Sequence, residues 1–167
     1  MFSLKPISSA GLPAALQKAE RYRLLNEPQA AESICLDVLG VEPEHQQAVV
    51  MLLLSITDQF RGAPLRHEQR AREVLPRLLD DYKRAYYEGI ICERRAMAQL
   101  ALDAPGSGEM AYGGFREAME HYERAERMRP EGNDEAILRW NTCVRILERR
   151  GEHVRPRAEG EYEPSFE

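Results

Sequence analysis

The chain has 167 residues, 43% of them hydrophobic, which is enough to bury one core without a metal or disulfide to hold it. Its formal charge of −5 lacks the clustered Lys and Arg that a general nucleic-acid surface needs to displace counterions. The longest apolar run, Ala48–Leu54, is far short of the ~20 residues that cross a bilayer, and Pro6 and Pro13 interrupt any export-signal pattern, so a soluble cytoplasmic protein is expected.

Residues 1–11 read as an extended lead-in. A first helix is predicted from Leu12 to Leu25, with Pro13 in the first turn, where a missing amide donor costs nothing. The second starts at Pro28 and runs to about Leu39, with Gly40 as its C-terminal cap. Leu16, Ala19 and Leu24 are expected to face Ala31, Ile34, Cys35 and Val38 across this hairpin. A third helix, Gln46 to Phe60, is apolar on every side, which predicts burial between neighbours. A fourth, Leu65 to Tyr82, carries Arg66, Arg70, Arg72 and Arg77 among Glu68 and Glu73, the pattern of a solvated face with i, i+4 pairs. Pro76 inside it predicts a kink or break.

The fifth helix, Arg84 to Leu102, contains Gly89, a residue that marks a close approach by a neighbouring element. Asp103 to Gly114 then reads as an irregular loop. The sixth helix is predicted over Phe115 to Met128. The seventh starts near Asn133, a capping residue, and carries one broad apolar stripe through Ala136, Trp140, Cys143 and Leu147. From Gly151 the composition turns to Gly, Pro and Glu without periodicity, a flexible acidic tail over 151–167.

Two segments share one ladder. Ala31, Cys35, Val38 and Pro43 stand at offsets of four, seven and twelve, and Ala118, Tyr122, Ala125 and Pro130 repeat them. A weaker copy runs Ala71, Leu75, Leu78, with Lys83 where the proline would fall. A small residue followed by apolar residues four and seven on describes one helix face, and the proline stops the helix. The ladder resembles the second helix of a tetratricopeptide repeat. Spacings of 40 and 47 residues exceed the family period of roughly 34, so Phe60–Pro64 and Asp103–Gly114 read as insertions.

The resemblance implies an all-α fold of antiparallel helix pairs stacked in a right-handed superhelix: about three hairpins and a capping helix over 12–150, seven helices in total. It also implies that first helices line a concave partner-binding face. Aligned on the ladders, the inward residues are Leu16, Glu20 and Arg23, then Val50, Leu54 and Thr57. Tyr86, Ile90, Glu93 and Arg94 follow, and the last are Ile137, Asn141 and Arg145. The partner-binding set is Val50, Leu54, Tyr86, Ile90, Glu93, Arg94, Asn141 and Arg145.

No Gly-rich phosphate loop, HExxH, CxxC or nucleophile elbow is present, so neither an enzyme nor a cofactor is expected. His45, His67, His121 and His153 are scattered without ligand spacing to one another or to cysteine, so no metal site is expected. Glu42-Pro43-Glu44-His45 matches ExxH but straddles a proline turn. Cys35, Cys92 and Cys143 are read as free thiols filling the core. The expected function is a non-catalytic adaptor or scaffold binding a peptide or helical segment of another protein, with neither nucleic acid nor membrane as partner and self-association left open. The alternative is a dedicated holding chaperone resembling the small bacterial secretion chaperones of the family. An enzyme or RNA-binding helical repeat ranks last.

Overall fold

The computed structural model describes residues 2–62 and 64–150; the expected tail lies outside them. Among the described residues the chain is all-helical, with no strand. A 3-10 turn at Ser9–Gly11 leads into α1 (Leu12–Leu24), followed by α2 (Pro28–Val41), α3 (Gln46–Thr57) and α4 (Pro64–Val74). A second 3-10 turn at Leu75–Arg77 precedes α5 (Asp81–Leu100), α6 (Ser107–Glu126) and α7 (Glu135–Arg150). None of these helices is long and apolar enough to cross a membrane.

Each α-helix packs on its neighbour in sequence, α1 also touches α3, and α3 touches α5. The small residues of all three ladders, Ala31, Ala71 and Ala118, are fully buried, as are Cys35, Val38, Tyr122 and Ala125. α3 is buried on most of its surface, between α2 and α4 with α1 and α5 alongside. Two apolar clusters result. One joins α1 to α4 and takes Ile91 and Ala98 from α5; the other lies among α5, α6 and α7.

Local chemistry sets the helix ends. The side chain of His45 accepts from the Ala48 amide at 3.3 Å and caps α3, a structural use for the ExxH histidine. Asp80 accepts from the Lys83 amide at 2.9 Å and caps α5. Asn133 accepts from the Glu135 amide at 3.0 Å at the start of α7. Pro76 breaks the fourth segment: α4 stops at Val74, and Leu78 is extended yet fully buried. Gln46 holds the broken segment, accepting from the Leu79 amide at 2.9 Å while Arg77 donates to the Pro43 carbonyl at 2.8 Å.

Besides the break at Pro76, other boundaries differ from expectation. Gly40 is not a cap, because α2 continues through it to Val41 and the Glu42 amide still reaches the Val38 carbonyl at 2.9 Å. α3 ends at Thr57, three residues before Phe60. α5 begins at Asp81, since Asp80 supplies the cap upstream of Arg84. The largest departure is α6, which starts at Ser107 and absorbs most of the expected loop. There tertiary burial overrides glycine's low helix propensity: Ser107, Ala111 and Gly114 are buried, and a Cβ on Gly114 would stand 3.0 Å from that of Ala96. Leu24 also departs. It is 83% exposed, because the buried stripe of α1 runs through Leu12, Leu16 and Ala19, with Tyr22 and Arg23 half-buried beyond them.

Candidate functional site

Gly89 of α5 lies against the Tyr122 side chain of α6. A Cβ there would stand 2.5 Å from Cε1 of Tyr122, so only glycine lets the tyrosine ring lie against the α5 backbone. The Tyr122 hydroxyl then reaches the carboxylate of Glu93 and donates to it at 2.5 Å. Arg139 of α7 donates to the other oxygen of Glu93 at 3.2 Å, which satisfies a carboxylate that is only 4% exposed. Burial pushes the Tyr122 hydroxyl far above the ordinary tyrosine range, and the adjacent Glu93 charge adds to the shift.

A second carboxylate joins three elements. Asp58, just after α3, accepts from Arg23 of α1 at 2.8 Å and from Arg94 of α5 at 2.9 Å. Two cavities meet at this ion pair. One, of about 420 Å³, is lined by Glu20, Arg23, Leu24, Asn26, Pro28, Asp58, Arg61 and Arg94. The other, of about 260 Å³, shares Asp58, Arg61 and Arg94 and continues along Thr57, Glu93, Met97 and Ala98 to Arg139, Thr142 and Ile146 of α7. Residues of α1, α3, α5 and α7 therefore border one furrow, with four arginines against three carboxylates. A broader hollow of about 560 Å³ on the outside of α1 is lined only by residues between Ala14 and Leu25.

The residues expected to bind a partner divide into several groups. Glu93 and Arg94 line the furrow. Tyr86 is buried, packed beside Tyr82, Tyr87 and Tyr122 with ring centroids 5.0–5.9 Å apart. Ile90 is buried at 1% exposure among α5, α6 and α7. Val50 and Leu54 are half-buried and pack against the two apolar clusters. Asn141 is half-buried and Arg145 exposed; α7 instead presents Arg139, Thr142 and Ile146 to the furrow. An alignment on ladder spacing carries no information about the rotation of α7, which its packing on α6 determines.

A different polar cluster lies where α4, α5 and α6 meet. Cys92, Glu117 and His121 each bring a potential ligand atom within 4.8 Å of the others. Cys92 is buried, and burial, with Glu117 adding to it, pushes the thiol up to about 12. Glu117 and His121 are i, i+4 on α6, the one part of this cluster visible in sequence. Cys92 lies 25 residues before Glu117 and reaches it only through the α5–α6 hairpin. The arginines of α4 also reach past their own helix: Arg70 pairs with Glu32 of α2, and Arg72 lies 3.8 Å from Glu88 of α5.

Compared with family models, curated proteins and solved structures, the chain matches none, and no comparison ties it to the tetratricopeptide family.

Proposed function

We propose that this protein is a tetratricopeptide-like stack, three helix pairs closed by α7 and coiled as a right-handed superhelix. In this reading it serves as a non-catalytic module that holds a peptide or helical segment of a partner protein. The observation that carries the proposal is the furrow bordered by α1, α3, α5 and α7, with its cavities joined at Asp58, Arg61 and Arg94. Alternate helices contributing to one face is how a stack of hairpins builds an extended recognition surface. Met97 and Ile146 offer apolar contacts, and the arginines offer charged ones, a mixture suited to a partner side chain anchored among polar groups. Packing of each helix on its sequence neighbours, and the full burial of the ladder alanines, also fit the stack.

The test is affinity capture from native extract with the wild type and with the furrow variants R61E and T142W. Arg61 is exposed and Thr142 half-buried, so both variants are expected to keep wild-type helicity by circular dichroism. Loss of one wild-type partner from both variants supports the proposal. An unchanged set of captured proteins from both refutes it.

A further inference from the structure

The Cys92–Glu117–His121 cluster is separate from the furrow and plays no part in the proposed partner binding. It combines a thiol, a carboxylate and an imidazole, a soft, hard and intermediate donor set characteristic of zinc. We propose that these three side chains form a site for a divalent transition ion, Zn²⁺ foremost, clamped between α5 and α6.

The helical geometry is suited to it. Glu117 and His121 project from one face of α6 a turn apart, and Cys92 faces them from α5. Ligand atoms around a tetrahedral zinc stand about 3.5 Å apart, given bond lengths of about 2.0–2.3 Å. The present spread, within 4.8 Å, closes by side-chain rotation of about an ångström. The surroundings also fit. Glu88 Oε2 lies 3.5 Å from Nδ1 of His121, a carboxylate beside the imidazole of the kind that orients a ligating histidine. Arg95 bonds to Oε2 of Glu117, leaving Oε1 for the ion. Arg95 and Arg72 are both held by Glu68, at 3.0 Å each, and Arg72 Nη2 stands 4.0 Å from Cys92 Sγ. On binding, the S–H bond of Cys92 gives way to a sulfur–metal bond and the proton leaves to solvent; no redox step is involved. Three protein ligands leave a fourth position for water or an added ligand.

The experiment titrates the full-length, reduced protein with Co²⁺ alone and then displaces it with Zn²⁺. One equivalent of Co²⁺ is expected to raise a thiolate-to-metal charge-transfer band in the near ultraviolet, which Zn²⁺ bleaches. C92S is expected to abolish the band, H121A to weaken binding, and E88Q to weaken it by about 10–100-fold. A C35S/C143S double variant is expected to keep the band, since neither cysteine belongs to the cluster. Zn²⁺ should raise the melting temperature of the wild type and not of H121A, a readout that stands even if C92S folds poorly. Absence of a thiolate band, a band that survives C92S, or equal affinity in H121A overturns the site.

Discussion

Replacing Gly89 with alanine sets two magnitudes against each other. In an exposed helix the change is worth up to about 1 kcal/mol in favour of alanine. Here the new methyl meets Tyr122 Cε1 at 2.5 Å and Cδ1 at 2.7 Å, about an ångström inside ordinary contact. The ring is fully buried and cannot swing outward. Displacing it costs about 1–3 kcal/mol of overpacking and stretches the hydroxyl's bond to Glu93, a charged-acceptor bond worth about 1.5–3 kcal/mol when intact. The balance favours glycine by about 2 kcal/mol. Gly113 is the control. It lies on the exposed side of α6 with nothing within 4 Å of the position an added methyl would take, so G113A is expected to stabilise by about 0.5–1 kcal/mol. Urea unfolding with matched m-values reads both, and opposite signs are the expected result. G89A as stable as G113A would mean that the α5–α6 contact is looser than described and would refute the reasoning.

Y122F removes the only hydrogen of the Tyr122–Glu93 bond and is expected to cost about 1.5–3 kcal/mol by the same urea assay. D58A releases Arg23 and Arg94 together; both are partly solvated, so a smaller loss of about 1–2 kcal/mol is expected in thermal melts, shrinking at high salt. Glu32 and Glu117 supply an acid limb. Burial acts to raise both carboxyls, but hydrogen bonds from Arg70 and Gln59 to Glu32, and from Arg95 to Glu117, outweigh it and hold them below the usual range. A carboxyl depressed on folding stabilises fully above the unfolded value of ~4.3, and that contribution is lost as pH falls toward the folded one. Melting temperature should therefore drop below about pH 4, and the double variant E32Q/E117Q should show a shallower drop.

Much of the architecture is legible in one chain. The alanines at 31, 71 and 118 and the apolar residues four and seven beyond two of them are periodic, and periodicity survives because the same face of each helix is buried. Pro28, Pro76 and Asn133 mark helix ends through backbone chemistry that acts within a few residues. The start of α6 is different. Ser107–Gly114 is poor helix-forming sequence and becomes helical because α5 lies alongside it, with Ala96 against Gly114.

Side-chain convergence required the tertiary structure. Sequence spacing placed Glu93 and Arg94 on α5, yet it could not pair one with Tyr122 and Arg139 and the other with Asp58, because those partners lie 29 to 46 residues away. Nor could it find Cys92 beside Glu117 and His121. Local patterns record which face of a helix is apolar. The rotation and axial offset of packed helices come from interlocking side chains, and these alone bring distant polar groups together.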